Sequence, residues 1–388
     1  MPSPYPSSPR RPRVGVDFHT FDGIYQGSRS HLIGLYREAV RLAPDIDFVF
    51  LLNDPAALLR AYPEFDAPNV RATRMRTLPG SVRLAAQLSW HQWRQRIDLL
   101  HVQYRLPFVS LGACACTIHD VLFETHPQFF PKSFALMSRM ASRAAINHAD
   151  LLFTVSRYTR HAMADVYRID PATIAVTYNA VDGERFHPYP AANELCARYG
   201  LVPNGYVCTV GRLEPRKNHL TLIRAYAELP AGLRGYPLVI IGQRDFDFDA
   251  IHELARSAGL EQSIRFIENA SDDELPVLLS QASLFVYPSW AEGFGMPVLE
   301  AMACGVPVIT STTTSMPEVA GDAAQLVDPG DARALAQAIE ADLTMSPGER
   351  SRRIASGLRQ AGRFDWQRSA RVLVDHFRQH LTGGLAMR

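Results

Sequence analysis

The chain has 388 residues, enough for two domains with full cores, and its 40 basic and 39 acidic side chains leave a net charge of +1, which gives a nucleic-acid-binding role little support. Hydrophobic residues at 47% and charged residues at 20% are ordinary for a soluble globular protein, and no apolar run approaches the roughly 18 residues needed to span a bilayer. The five cysteines are odd in number and include no CxxC pair, so they read as reduced thiols in a cytosol.

Residues 1–12, rich in Pro, Ser and Arg, are expected to form a disordered tail without a secretory signal. An apolar strand is predicted at 14–18, followed by a loop containing Gly23 and Gly27 and a helix over 30–42. Further strands are predicted at 48–52, 99–102, 113–118 (where Cys114 and Cys116 share a face) and 151–155, with a helix at 133–148. The rhythm restarts after a Pro- and Asn-containing connection at 181–204, with strands at 206–210, 238–241, 264–267, 284–287 and 306–309. This alternation predicts an α/β protein with two doubly wound halves, each a parallel sheet with crossover helices, and a cleft between them as the ligand site. The boundaries are set at 13–180 for the first domain, 181–363 for the second and 364–388 for a final helix. Ser271 and Glu274 form a capping-box pattern ahead of the helix that leads into strand 284–287.

Charge is divided unevenly: residues 1–180 carry 20 basic and 14 acidic side chains, and the remainder 20 and 25. No acidic residue lies between Asp66 and Asp98, where Arg71, Arg74, Arg76, Arg83, Arg94 and Arg96 accumulate beside Trp90 and Trp93. A helix over 81–96, with Leu84 and Leu88 four apart, is compatible either with lying on an anionic bilayer through Arg83, Trp90, Trp93 and Arg94 or with an ordinary solvated helix.

The segment SWAEGFGMPVLEAMACGVPVIT, residues 289–310, predicts a loop, a short helix and a strand, with Pro297 at the helix start and Gly305 just past its end. The amides of Gly293, Phe294 and Gly295 at the helix N-terminus suit an anion, and Glu300, expected in the first turn, can accept two hydrogen bonds from a vicinal diol. Glu292 is placed in the loop. Strand 206–210 runs into GRLEPRKNH, whose Arg212 offers a planar fork and Lys217 a point charge for a diphosphate. Lys132 and Lys217 are the only lysines in the chain. His119, leaving strand 113–118 beside Asp120, is poised at a strand end.

Taken together, the 289–310 string, the Arg212 and Lys217 loop, TIHD, GVDFHTFDG, VSRYTRHAM, TYNAVDGERFHP and RFDWQRSARVL resemble the retaining glycosyltransferases of family 4, which have the GT-B fold. That resemblance implies two Rossmann-like domains facing a cleft, with the C-terminal helix crossing back to the N-terminal, acceptor-binding domain. It implies that Glu292 meets hydroxyls of the donor sugar, Glu300 the ribose, and Arg212 and Lys217 the phosphates. His119 would lie near the anomeric carbon, with Asp120 supporting its loop and the Gly27 loop approaching the phosphates. The base pocket is expected near Glu268, Asn269 and Ala270. Similarity of residues 117–130 to bacterial mannosyltransferases implies GDP-mannose as donor and a polyprenyl-diphosphate-linked saccharide as acceptor, in polysaccharide or lipopolysaccharide synthesis. The enzyme would then be cytoplasmic and peripheral on the inner face of the plasma membrane. A UDP-sugar transferase with a soluble acceptor and a non-catalytic nucleotide-sugar-binding protein are the alternatives.

No cofactor or metal is expected. Asp245, Asp247 and Asp249 mimic a metal-binding DxD motif, but they lead into a helix predicted at 251–258, where Asp249 serves as a cap. Neither half has the GxGxxG turn of a nicotinamide dehydrogenase.

Overall fold

A computed structural model describes residues 10–22, 27–245 and 248–383. Most of the expected tail, Gly23 and Asp247 lie outside the described residues. In the first half the strands are β1 (Arg13–Asp17), β2 (Asp47–Leu52), β3 (Val70–Arg74), β4 (Leu99–Gln103), β5 (Ala113–Ile118), β6 (Leu151–Thr154) and β7 (Ile174–Val176). They form one seven-stranded sheet in the order β3-β2-β1-β4-β5-β6-β7. The second half contributes β8 (Val207–Val210), β9 (Leu238–Ile241), β10 (Ile264–Ile267), β11 (Leu284–Tyr287), β12 (Val308–Ser311) and β13 (Gln325–Val327). These give a six-stranded sheet ordered β10-β9-β8-β11-β12-β13. All pairings are parallel.

Parallel strands buried on both faces need continuous apolar runs, which explains why the central strands were legible. The strands missing from the sequence reading, β3, β7 and β13, all lie at sheet edges. β3 carries Arg71 and Arg74 and is half-exposed, so it never presents an apolar run.

Strand order reverses between β1 and β4 in one sheet and between β8 and β11 in the other. Loops leaving the carboxyl ends at such a switch point diverge and open a crevice. The loops carrying Arg212 to Lys217 and Glu292 follow β8 and β11, and those carrying His19 and Tyr104 follow β1 and β4.

The last helix, Trp366–Gly383, returns to the first half and buries Leu373, Val374 and Phe377 in its core. It lies so close to helix Gly27–Leu42 that a Cβ on Gly34 would overlap the Trp366 ring. Arg378 hydrogen-bonds Asp45, and Ser369 donates to the Tyr178 carbonyl at 2.7 Å.

The 81–96 helix differs from expectation. It runs through a π-helical turn at Arg83–Gln87 before Leu88–Arg94. Leu84 and Leu88 are buried in the core, so the apolar spacing faces the sheet rather than a bilayer. Arg83 also turns inward: it pairs with the buried Asp17 and lies 3.1 Å from His19 Nδ1, which corrects its grouping with the membrane residues. Trp90 and Trp93 do point outward, at 49% and 67% exposure, and the Arg94 guanidinium lies 5.4 Å from the Trp90 ring centre. The Ser271 and Glu274 capping box forms, with reciprocal hydrogen bonds of 3.0 and 3.2 Å. Asp249 falls inside the first turn of helix Phe248–Ser257 rather than capping it.

Candidate active site

The loop after β8 is pinned by Asn218. This residue holds a left-handed conformation, which asparagine tolerates better than most residues, and its side-chain amide donates to the carbonyls of Pro288 at 2.9 Å and Pro329 at 2.7 Å. The Arg216 carbonyl accepts from Trp290 N–H and Ser289 Oγ, both at 2.9 Å. These ties draw the β8 loop against the β11 loop and aim Arg216 and Lys217 inward.

Their target is Glu292. Arg216 Nη1 lies 2.8 Å from Oε2, and Lys217 Nζ lies 2.7 Å from Oε1. The hydroxyls of Tyr287 and Ser289 each donate to Oε1 at 2.8 Å. Burial alone would raise the Glu292 pKa, but Arg216 and Lys217 outweigh it and hold the carboxyl at about 2. Burial, aided by the neighbouring Arg216 charge and opposed by Glu292, depresses the Lys217 ammonium. Burial would also lower Arg216, but Glu292 and Glu214 keep it fully charged. The result is a buried, charge-balanced cluster of two cations and two carboxylates, with Glu214 2.6 Å from Arg216.

Arg216 was not singled out as a site residue. Arg212, which was, is half-exposed and pairs with Asp245 at 2.9 Å, away from the Glu292 cluster. Sequence spacing cannot tell which cation of this loop turns inward, because the Pro215–Lys217 turn and the Asn218 tethers decide it.

Glu300 is the fifth residue of helix Met296–Ala303, one residue later than expected and just past the first turn. Its carboxylate hydrogen-bonds to no described residue, and burial pushes its pKa up to about 7, with Arg185 partly opposing. The amides of Gly293, Phe294 and Gly295 likewise reach no acceptor among the described residues. A carboxylate and a row of amides without a hydrogen-bond partner among the described residues thus flank one helix start. Asn269 is exposed and Ala270 packs on the core just beyond β10. Gly27, exposed, begins the first long helix, and a Cβ on it would meet none of the described residues within 4 Å.

The facing wall comes from the first half. His119 is buried, with Nε2 hydrogen-bonded to the Gln103 amide oxygen and its ring 4.9 Å from His31 and 5.2 Å from Tyr104, centre to centre. Burial, then the charges of His31 and His101, keep His119 well below the ordinary histidine range, so the imidazole is neutral. Asp120 accepts from Tyr104 OH at 3.0 Å and from the Leu122 amide at 3.1 Å.

The two walls touch at Gly293. A Cβ there would fall 2.5 Å from the His119 carbonyl oxygen and 2.8 Å from Asp120 Cβ, so a side chain would push the β11 loop off the His119 loop. Ser156 Oγ, at 2.6 Å, and Thr159 Oγ1, at 3.2 Å, both donate to the Gly293 carbonyl. Among the described residues no group of three or more His, Cys, Asp or Glu could hold a metal ion.

Two doubly wound sheets whose switch-point loops meet across a cationic and acidic cleft define a GT-B glycosyltransferase. The comparisons agree. Residues 25–185 match the description "Glycosyltransferase Family 4" and residues 202–360 "Glycosyl transferases group 1". The O-antigen chain mannosyltransferase B of Escherichia coli is 34% identical over 69% of this chain and 71% of its own. A GDP-mannose-dependent alpha-(1-6)-phosphatidylinositol monomannoside mannosyltransferase of Mycolicibacterium smegmatis is 31% identical over 67% and 70%. In structure, sucrose-phosphate synthase of Thermosynechococcus elongatus superposes with a TM-score of 0.75 at 20% identity, covering 96% of this chain and 100% of that one. The chain belongs to the family 4, or group 1, glycosyltransferases.

Proposed function

We propose that this glycosyltransferase moves mannose from GDP-mannose, with retention of configuration, to a lipid-linked saccharide during bacterial polysaccharide or lipopolysaccharide assembly. The observation that carries the reading is the Arg216, Lys217 and Glu292 cluster facing His119, with Glu300 on the following helix hydrogen-bonded to no described residue. Mannosyl transfer is favoured because both curated relatives above are mannosyltransferases, one of them GDP-mannose-dependent.

In this reading Glu300 accepts the ribose diol, and the Gly293 to Gly295 amides with Lys217 and Arg216 take the diphosphate. Arg212 reaches it from the rim on leaving Asp245. No metal is invoked, since these groups supply the positive charge. Drawing Lys217 toward phosphate frees one oxygen of Glu292 for the sugar hydroxyls. That carboxylate is assigned to the sugar hydroxyls and not to the anomeric carbon, so it is not the nucleophile. Front-side attack follows: the bond from the anomeric carbon to the diphosphate oxygen breaks as the acceptor oxygen bonds from the same face, and the departing diphosphate takes the acceptor's proton. Stabilisation of the leaving group is worth roughly 3 kcal/mol per well-aimed donor. Neutral His119 contributes a hydrogen bond to the sugar, and Asp120 keeps its loop in place.

The acceptor's lipid would keep the enzyme on the inner face of the plasma membrane. Exposed Trp90, Trp93, Phe108 and Leu111 alongside Arg71, Arg74, Arg76 and Arg94 support an anionic surface as partner. Phe134, Leu136, Met137 and Met140 on helix Lys132–His148 add a second exposed apolar stretch. No described helix is long and apolar enough to cross a membrane.

The test is nucleotide release from a panel of GDP- and UDP-sugars with and without polyprenyl-linked acceptor. GDP-mannose should give slow release alone and fast release with acceptor. Release from a UDP-sugar only would overturn the donor assignment, and binding without turnover under every condition would overturn the enzymatic one.

A further inference from the structure

The two halves meet at a second point that the transfer chemistry does not use. Helix Arg157–Tyr167 in the first half begins with Ser156, which caps the Thr159 amide at 3.0 Å and leaves the Arg157 and Tyr158 amides to be satisfied from elsewhere. Glu318, in the second half, satisfies both. Its Oε1 accepts from Arg157 N–H at 3.0 Å, and its Oε2 from Tyr158 N–H at 3.0 Å. Oε1 also accepts from Arg157 Nε at 3.0 Å and from Tyr178 OH at 2.6 Å. A carboxylate at a helix N-terminus, shared by four donors and only 11% exposed, is a strong tie.

The elements joined by this tie are those that set the site. The same helix start holds the Gly293 carbonyl through Ser156 and Thr159, and Thr159 also donates to the His119 carbonyl at 3.4 Å. On the other side, Thr314 accepts from the Glu292 amide at 3.0 Å, and Ser315 Oγ donates to the Glu292 and Phe294 carbonyls at 2.9 and 2.8 Å. Residues 314–318 thus clasp the Glu292 loop with one end and the first half with the other. Tyr178 lies in the connection between the halves and packs with Phe294 and Phe364, the latter just ahead of the returning C-terminal helix.

We propose that Glu318 is a positioning residue: it is the fixed pivot between the halves and sets the distance between the Gly293–Glu292 loop and His119. It rests on the glycosyl-transfer reading for its kinetic consequence but not for its mechanical one. A pivot governs how often the walls come together correctly and leaves the nucleotide pocket within the second half intact, so it affects turnover more than binding.

The experiment compares Glu318→Ala, Glu318→Gln and Tyr178→Phe with the wild type by three readouts: GDP affinity by calorimetry, kcat and donor KM, and small-angle scattering with and without GDP. Glu318→Ala should lower kcat at least tenfold, leave GDP affinity and KM within threefold, and broaden the distribution of inter-half distances. Glu318→Gln, with one acceptor oxygen left, and Tyr178→Phe, with one hydrogen bond lost, should fall between. Should Glu318→Ala not fold, these two milder variants carry the test. A kcat within twofold of wild type in an active enzyme, or parallel losses of GDP affinity and kcat, overturns the proposal. If the wild type itself turns over no donor, the function reading fails and scattering alone decides: an unchanged distance distribution in the variants then overturns the pivot.

Discussion

Glu300→Gln tests the ribose assignment through stability as well as binding. Burial raises the Glu300 pKa from 4.5 to about 7. At about 1.4 kcal/mol per unit this shift has a ceiling near 3 kcal/mol, and because the side chain is part-exposed, solvent screening reduces it to about 1–2 kcal/mol. The sign follows from proton uptake. Between pH 4.5 and about 7 the folded state holds a proton the unfolded state has lost, so stability falls as pH rises through this window, and the penalty is complete above it. A neutral glutamine escapes the penalty. Urea unfolding of ligand-free protein should therefore give matching midpoints for wild type and Glu300→Gln at pH 4, and a more stable variant at pH 8 by about 1–2 kcal/mol. Binding should move the other way. With GDP-mannose, whose diphosphate does not titrate in this range, the variant should bind about 10–100-fold more weakly at pH 8, the worth of a charged hydrogen-bond pair. Wild-type affinity should rise with pH up to about 7 and then level off. The reasoning is refuted by a variant no more stable than wild type at pH 8, or by a pH-independent difference in donor affinity.

Replacing Glu292 with Gln keeps the shape of the cluster but frees Lys217 and Arg216 from its charge, so GDP should bind at least as tightly as to wild type while kcat falls about 100-fold or more; weaker GDP binding in calorimetry would contradict the exchange of partners. Arg216→Ala strips a buried carboxylate of its guanidinium and should cost about 3–5 kcal/mol of stability, whereas Arg212→Ala, at the half-exposed Asp245 pair, should cost under about 1 kcal/mol, as denaturation midpoints will register. Trp90→Ala with Trp93→Ala should reduce flotation on anionic vesicles with little change in GDP affinity. By contrast, Arg83→Ala should destabilise the fold by removing the guanidinium from the buried Asp17 and leaving it only His19, seen as a lower melting temperature.

The limits of the sequence reading have physical causes. Buried parallel strands such as β9 and β11 carry four consecutive residues that the sheet interior demands, and their ends were read to the residue. Edge strands have one side facing solvent, so β3 with its arginines was passed over as part of a basic surface. The same ambiguity misplaced Leu84, Leu88 and Arg83: spacing on a helix tells that one face is apolar, but not whether that face meets a sheet or a membrane. At the site, Glu292, Lys217 and His119 were found because each leaves the carboxyl end of a recognisable strand. Arg216 and Glu318 were missed because their importance depends on partners far along the chain, Glu318 lying 161 residues from Arg157, and Tyr287 because it reads as one more buried residue of β11.

The fold also changes what the found residues mean. Glu292 and Lys217 had separate assignments, one to the sugar and one to the phosphate, yet in the folded protein they neutralise each other at 2.7 Å. A buried charge stripped of its partner costs several kcal/mol, so neither can be used alone. On the proposed assignment a free nucleotide would draw the cations away from Glu292 and leave that carboxylate uncompensated, and a free sugar would engage the carboxylate while the cations still held it. Only an intact nucleotide sugar would offer an anion to Lys217 and hydroxyls to Glu292 together, so on that assignment the pairing would favour it over either fragment.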